Sequence, residues 1–402
     1  MKKLTTDRSM LKKAIGMGCI STLTYLISYY TRNVLSVVTP NMLTTGEFTA
    51  EFIGLLSSVY LFIYALEQPI IGFVGDRINP KYIITVGLSV TGIVNIAFPL
   101  VPYAWMQVVC FALMGMGLSM YKSPITKMIS ENLTSDYSRT VCTFLNTACF
   151  VGPLVASGLA IFLGWEMMFI VAGILTFSAA VGAFIIFSVF EKRGMFVFRS
   201  NKSPVVSAFL GLFKLESFAY YMLIGGVVGI ADLAIGFWIP TYLSEALLLD
   251  NVKTNIIYSV ISVITSLAPF LTLVVFNVVK KRDIAMMRCG FLITVLSFIG
   301  MIAISGVAAR IGLLIIAKLM LTCCSSVLWS IYIPGMGRTG RVSSINGVIN
   351  CVAYLSSAVA NAVFEKLLGL SWNGVVLVWC GIASVGLLAS LFVRAKKKEI
   401  QG

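Results

Sequence analysis

Histidine is absent from the 402 residues, which removes imidazole proton relays and histidine metal sites from consideration. Charge is scarce. Asp, Glu, Lys and Arg together make 11% of the chain, against about a quarter in soluble globular proteins. No Gly-x-x-x-x-Gly-Lys-(Ser/Thr) loop occurs, so direct coupling to ATP in this chain is excluded. No nucleophile–base arrangement is evident, which argues against an enzyme. The nine cysteines, Cys110, Cys149, Cys323 and Cys324 among them, lie mostly inside apolar runs without metal-ligand spacing. They read as small buried hydrophobes, and neither a cofactor nor a metal is implied.

What the sequence has in abundance is apolar length. Hydrophobic residues make up 58% of it, and runs of roughly 20 residues recur throughout, the length that crosses a bilayer as a helix. The fold class is therefore an all-α integral membrane protein with no sizeable soluble domain. The start, "MKKLTTDRSMLKKAIGMG", is basic like a signal peptide. The apolar run after it is long, contains Arg32 and lacks a small-residue cleavage site, so it reads as a retained first helix.

Twelve spans are expected, beginning near Ala14, Glu51, Tyr82, Ala104, Thr140, Met167, Glu216, Thr254, Asp283, Arg310, Val342 and Trp372. The basic residues then alternate sides. Lys2, Lys3, Arg8, Lys12 and Lys13 precede the first span, Arg77 and Lys81 follow the second, and Lys127 and Arg139 flank the loop after the fourth. Lys192, Arg193, Arg199, Lys202 and Lys214 follow the sixth, and Lys280, Lys281, Arg282 and Arg288 the eighth. Arg338 and Arg341 follow the tenth, and Arg394, Lys396, Lys397 and Lys398 the twelfth. About 24 of the 30 Lys and Arg fall on one face, and Lys253, Arg310 and Lys366 on the other. The positive-inside rule puts both termini in the cytoplasm. The net charge of +14 is thus topological, and nucleic acid is not a partner. The expected surroundings are the lipid bilayer of the cytoplasmic (inner) membrane and a small-molecule substrate, with the chain acting as a monomer.

The longest polar connection, "EKRGMFVFRSNKSP", lies near the middle. It divides the chain into an N-terminal six-helix bundle (1–190), a cytoplasmic central loop (191–214) and a C-terminal six-helix bundle (215–402). Two six-helix halves are what transporters built from internal repeats show.

Five charges remain inside spans: Arg32, Glu67, Lys122, Asp232 and Lys318. A charge at bilayer depth is costly and points to function. Four of them fall on spans one, four, seven and ten, equivalent places if each half is a pair of three-helix repeats. The natural common place is a central cavity. Tyr25, Tyr29, Arg32 and Ser36 make one helical stripe, and Gly225, Gly229, Asp232 and Gly236 repeat its spacing. Such a glycine stripe lets a helix approach closely or leaves room for a ligand. Lys318, Thr322, Ser325, Trp329 and Tyr332 line a face of span ten, and Asn350, Tyr354, Ser357 and Asn361 a face of span eleven. Lys122 and Lys318 either line the cavity or snorkel toward an interface. Arg32 and Asp232 either serve the substrate or form a structural pair, and Glu67 either couples an ion or pairs with an arginine.

"GFVGDRINPKYII" resembles the loop signature of the major facilitator superfamily, carried by Gly72, Asp76, Arg77 and Lys81. The resemblance implies the major facilitator fold and a conformational latch, in which the aspartate sits at helix ends and pairs with basic groups. "DRINPK", "YYTRNVLSVVTPNM", "FWIPTYLSE" and "GRTGRVSSINGVINCVAYLSS" are similar to the organophosphate:phosphate antiporter family of glycerol-3-phosphate and hexose-phosphate transporters. That family clamps phosphate between arginines on helices one and seven. Arg32 matches the first, and Asp232 stands at the place of the second. Gln68 stands where the family has a lysine, and Cys149 where it has a histidine.

The reading that follows is a secondary active transporter. A clamp with one cation reversed favours a carboxylate or a zwitterion, a sugar acid or an amino-acid-like solute, over a phosphate dianion. The substrate-binding set is Arg32, Asp232, Tyr29, Tyr25, Lys318, Gln68, Cys149 and Asn350, with Asp232 and Glu67 as possible ion-coupling groups, by symport or antiport. The alternatives are a sugar-phosphate or organophosphate exchanger with a rearranged clamp, and a transporter-like receptor that senses such a solute. The topology has a direct check. Green fluorescent protein fused after Gly402 should fluoresce, and alkaline phosphatase at the same point should stay inactive. The opposite pair of results places the C-terminus outside.

Overall fold

The structure is a computed structural model that describes residues 2–201, 205–279, 282–367 and 371–393. Lys202, Lys280, Lys281, Arg394, Lys396, Lys397 and Lys398, counted above for topology, lie outside the described residues, as do the side chains of Lys2, Lys3, Arg8 and Lys366.

The long elements are helices: α1 (Lys2–Thr44), α2 (Ala50–Gly75), α3 (Pro80–Ala97), α4 (Ala104–Asn132), α5 (Ser135–Ala160) and α6 (Trp165–Lys192). A short helix, Val205–Phe213, precedes α7 (Phe218–Ala246) and α8 (Val252–Val278). Then come α9 (Asp283–Ala303), α10 (Val307–Ser326), α11 (Val342–Leu367) and α12 (Trp372–Phe392). Local chemistry sets several of the starts. Thr49 accepts from the Phe52 amide, Asp250 from Lys253 and Ser371 from Gly374. Asn79 caps α3 just before Pro80, a residue suited to a first helical turn. Two helices are locally widened: α7 is π-helical at Ile230–Ile235 and Tyr242–Ala246, and α10 continues as π-helix through Val327–Tyr332.

Eleven helices among the described residues are long and apolar enough to cross a membrane. The twelfth long helix, α1, falls outside that group because polar residues interrupt it. The hydroxyls of Thr24, Ser28 and Thr31 donate to the carbonyls of Ile20, Thr24 and Ile27, and Thr31 also meets the Thr176 hydroxyl of α6 at 2.7 Å. These groups find partners without water, as a bilayer requires.

The chain forms two compact units, Met1–Pro204 with Ile333–Val348, and Val205–Tyr332 with Ile349–Gly402. In the first, α1 packs on α5 and α6, α2 on α4, and α3 on both α4 and α6. The second has the corresponding pairs: α7 on α12, α8 on α10, and α9 on both α10 and α12. The order of contacts along each half is the same, as expected of an internal repeat. Tyr25, Leu88, Tyr121, Ile125, Leu145 and Phe187 lie in the first unit's buried core. Trp379, with Tyr242, Phe298 and Phe364 around it, anchors the second. Large apolar side chains such as Leu154, Phe162, Val263 and Leu377 are exposed, a surface that only lipid solvates well.

The central connection is docked, not loose. Gly194 turns the chain at φ +68°, a left-handed conformation that glycine adopts without strain. Phe196 is then buried, and Val197 exchanges two hydrogen bonds with the Asn132 side chain, at 2.8 and 3.2 Å. Ser200 donates to the Arg77 carbonyl and the Asn201 amide to the Asp76 carbonyl. Residues 195–201 thus form a strap across the loop between α2 and α3.

In the second unit, Gly225 and Gly229 let α11 approach α7. A Cβ on Gly229 would sit 2.4 Å from the Ala353 carbonyl oxygen. Gly229→Ala is expected to destabilise by about 1–3 kcal/mol through overpacking. Gly182 faces open space, so Gly182→Ala should leave the thermal midpoint of the detergent-purified protein where it is. Equal midpoints for the two variants would refute the close approach.

Candidate functional site

The α1 stripe has two environments. Tyr25 is buried and stacks on Tyr121 with ring centroids 5.2 Å apart, while Tyr121 donates to the Ser21 carbonyl. Tyr25 is therefore part of the packed core. Tyr29, one turn on, is half-buried and meets Tyr25 edge-on. The next turn carries Arg32.

Three aromatic faces surround the Arg32 guanidinium. Its central carbon lies 5.6 Å from the Tyr29 ring centre, 5.8 Å from Tyr60 and 5.0 Å from Tyr64. Each contact is worth about 0.5–1 kcal/mol at an exposed site and about 2 when desolvated. The rings stabilise the cation without cancelling its charge. Two glycines make the cage possible. Gly152 brings α5 against Tyr29, where a Cβ would come within 2.6 Å of the tyrosine's own Cβ, and Gly115 brings α4 against the backbone of Tyr60 and Tyr64. Tyr60 and Tyr64 were not among the residues selected from the sequence. Their signal was the i, i+4 spacing in "SVYLFIYALEQP", continued by Glu67 and Gln68.

Glu67 accepts from the Ser119 hydroxyl of α4 at 2.9 Å. Gln68 is fully buried, and neither atom of its amide has a hydrogen-bond partner among the described residues. Cys149 on α5 is half-buried against the first unit's core. Lys122 on α4 is half-buried and close enough to Cys142 to act on it electrostatically.

In the second unit, Asp232 lies in the π-helical turn of α7. The sequence reading paired it with Arg32. Within its own unit the carboxylate meets α10, where Lys318 Nζ is 3.7 Å from Oδ1 and the Ser325 hydroxyl donates to Oδ2 at 2.6 Å. Lys318 also donates to the Ala231 carbonyl at 2.6 Å. Gly236 lies beside the ammonium, and a Cβ there would stand 3.5 Å from Nζ, an ordinary contact. Of the α7 glycines, Gly225 and Gly229 thus admit a helix. Asn350 on α11 is buried, with its amide nitrogen unbonded among the described residues.

The loop signature forms a separate network. Asp76 caps the start of α11, accepting from the Ser343 amide at 3.2 Å, the Ser344 amide at 3.1 Å and the Ser344 hydroxyl. A carboxylate is well placed at a helix N-terminus. Lys127, fully buried, pairs with Asp76 at 3.1 Å and with Glu131 at 3.3 Å. It therefore belongs inside the network and not with the solvent-facing loop charges. Burial pushes the Asp76 carboxyl above its ordinary range, with Lys127 and Ser344 pulling the other way. Gly72 lets α11 approach α2, because a Cβ there would lie 2.8 Å from the Ser343 carbonyl oxygen. Lys81 pairs with Glu191 at the end of α6, and Asn79 donates to the same carboxylate. Arg77 reaches back to the Phe73 carbonyl.

The family model for the Major Facilitator Superfamily matches residues 21–361. The chain belongs to this superfamily. Its members are membrane transporters and not enzymes. The membrane sensor protein UhpC of Salmonella typhimurium is 28% identical over 257 residues, 58% of this chain and 57% of that protein. The sphingosine-1-phosphate transporter SPNS2 of Danio rerio is 31% identical over 209 residues, 48% of this chain and 40% of that one. A probable hexose phosphate transport protein of Chlamydia pneumoniae is 23% identical over 155 residues, 38% and 34% of the two chains. The match spans about half the length of these relatives or less. The superfamily transporter FucP, solved in an outward conformation, superposes with a TM-score of 0.74 over 96% of this chain and 100% of that one, at 11% identity. That likeness concerns the fold alone.

For this superfamily member the Asp76 network yields a separable prediction. Asp76→Asn removes about 1.5–3 kcal/mol of charge-assisted hydrogen bonding but leaves Lys127 its Glu131 partner. Maximal flux is expected to fall by roughly ten-fold or more, with equilibrium binding of the transported solute near wild type. A collapse of affinity with unaltered turnover would show that Asp76 acts on the solute site and not on switching.

Proposed function

We propose that this chain is a secondary transporter that moves a phosphate-bearing small organic solute across the cytoplasmic membrane by alternating access. The observation that carries the reading is the Arg32 cage. A guanidinium in the apolar part of α1 lies against three tyrosine faces, and its planar head is a fork of donors. That fork matches phosphate in a bidentate way that an ammonium cannot. The hexose-phosphate and sphingosine-phosphate relatives support a phosphate headgroup. The proposed arrangement is a six-helix bundle on either side of the central loop, with both termini in the cytoplasm and Asp76 as the latch. The exchange partner would be inorganic phosphate or a second anion.

Asp232 supports a second reading. With a carboxylate where a second clamp arginine would stand, the solute would be a carboxylate or a zwitterion. Proteoliposome counterflow separates the two, with hexose 6-phosphate, glycerol 3-phosphate and inorganic phosphate in one panel and sugar acids, dicarboxylates and amino acids in the other. Flux of a phosphorylated solute is expected, and Arg32→Lys should lower its apparent affinity by ten-fold or more, about 1.4 kcal/mol. Flux confined to the carboxylate panel selects the second reading. Saturable binding with no flux moves the protein to a sensing role. Wild-type transport by both Arg32→Lys and Arg32→Ala removes Arg32 from the site.

A further inference from the structure

The strap at 195–201 runs past the buried ion pair of Lys127. Its side chains alternate as in any extended chain. Phe196 is buried in the first unit's core and Phe198 packs against that core, while Val197, Arg199 and Ser200 are exposed. The Phe198 ring centre lies 5.7 Å from Lys127 Nζ. Oxygens meet the same ammonium: the Asp76 carboxylate at 3.1 Å, and the Glu131 carboxylate, the Asp76 carbonyl and the Gly340 carbonyl each at 3.3 Å. Phe198 therefore gives the ion pair an apolar side. Arg199, next along the strap, is within electrostatic range of Glu131.

The two ends of the strap are held unequally. At its start the Met195 amide donates to the Phe190 carbonyl at 2.8 Å, Phe196 is buried, and the Asn132 side chain holds Val197 both ways. Asn132 follows Glu131 directly, so the last turns of α4 carry the cation, its second acid and the anchor of the strap. At its far end the strap bonds to main-chain carbonyls between α2 and α3. Ser200 donates to Arg77 at 3.1 Å and the Asn201 amide to Asp76 at 2.8 Å. Ser200 is exposed and Asn201 half-buried, so water competes for these bonds and keeps their net strength small. The far end is the one that can peel, and the anchor at Asn132 is the one that stays.

We infer that residues 198–201 are a removable cover on the Lys127–Asp76 ion pair, and that the seating of this cover governs how firmly Asp76 holds the start of α11. The energy of an ion pair scales inversely with the local dielectric, so water admitted beside Lys127 weakens the pair several-fold. Asp76 caps α11 with the carboxylate that Lys127 holds, and its carbonyl takes the Asn201 amide. Lifting the cover therefore wets the ion pair and frees that carbonyl in one step. Coupling of this kind is reciprocal. Release of the strap loosens α11, and release of α11 loosens the strap to the same extent. Phe198 and Asn132 are positioning residues in this scheme and act through Lys127 and Asp76. The inference rests on the reading of Asp76 as a latch and adds the element that sets its strength.

Backbone hydrogen exchange, read by mass spectrometry on the full chain in detergent without solute, tests the coupling. Phe198→Ala should speed exchange at the Ser343 and Ser344 amides of α11 several-fold. Asn132→Ala, which removes the anchor and leaves the ring, should act in the same direction. Phe198→Leu keeps an apolar cover and should restore most of the protection. In the reciprocal arm, Asp76→Asn should speed exchange at the Val197 and Asn201 amides of the strap. Exchange at Leu88 and Leu145, in the first unit's core, should stay at the wild-type rate in all four variants. Wild-type exchange at Ser343 and Ser344 in both Phe198→Ala and Asn132→Ala, with the strap amides exchanging freely, overturns the cover and leaves the latch reading intact. Equal effects of Phe198→Ala and Phe198→Leu overturn the exclusion of water as its cause. Wild-type turnover by Asp76→Asn in proteoliposomes overturns the latch reading instead, whereas the coupling between strap and α11 is still decided by exchange alone.

Discussion

A charge inside an apolar helix bundle must be paired, hydrogen-bonded or stacked, and the positions of the remaining groups follow from that requirement. Three cations of this chain meet it differently. Lys127 is fully buried between Asp76 and Glu131. Lys318 leans on a backbone carbonyl and a loosely held carboxylate. Arg32 lies against tyrosine faces. The three solutions differ in the kind of group that meets the charge. Two carboxylates on Lys127 neutralise it and make it structural. One carboxylate stands 3.7 Å from Lys318 and balances it loosely. The tyrosines around Arg32 attract it through their ring quadrupoles, without carrying net charge themselves.

Each solution also depends on helices meeting closely, and lipid offers no hydrophobic drive to bring them together. Small residues supply the approach. Gly152 and Gly115 set α5 and α4 against the tyrosines of the cage, and Gly72 sets α11 against α2 so that Asp76 reaches two helix amides. Helix packing and charge solvation are thus one problem here. A methyl group at a glycine would displace a helix, and the displaced helix carries a partner of a buried charge.

Much of this was legible in the sequence. Run length and the distribution of basic residues marked the spans, and Ala104, Asp283, Val342 and Trp372 are the first residues of their helices in the structure as in the sequence reading. α1 starts earlier than Ala14 because the basic segment before it is helical too. The charges inside spans and the loop signature stood out because polar residues in apolar runs are rare. Pairing was not legible. Periodicity places Asp232 on a face of α7 but does not say that α10 presents Lys318 and Ser325 to it, because that depends on helix rotation and on the π-helical turn. Tyr60 and Tyr64 escaped notice because tyrosine in a span reads equally well as packing. Lys127 counts in the sequence among the basic residues flanking the loop after the fourth span, though Asp76 and Glu131 hold it inside. The connection at 195–201 reads as a polar linker, and partners far away in sequence, Asn132, Arg77 and Asp76, are what hold it.

Asp76 is the residue at which these interactions meet. Its carboxylate takes the first amides of α11 and the ammonium of Lys127, and its carbonyl takes the Asn201 amide of the strap. One residue thus ties the end of α2 to α4, to the central connection and to α11. Were the start of α11 to withdraw, Asp76 would lose three hydrogen bonds but regain hydration, because burial is what strains its charge. Lys127 would keep Glu131, so no buried charge would be left alone. Loss and gain then differ by a few kcal/mol at most, the range in which a bound solute's preference for one state can reverse the balance. A fully neutral contact would be too weak to define two states, and an ion pair without Glu131 behind it would be too costly to break. The doubled acid around Lys127 is what would let the proposed latch open and close again.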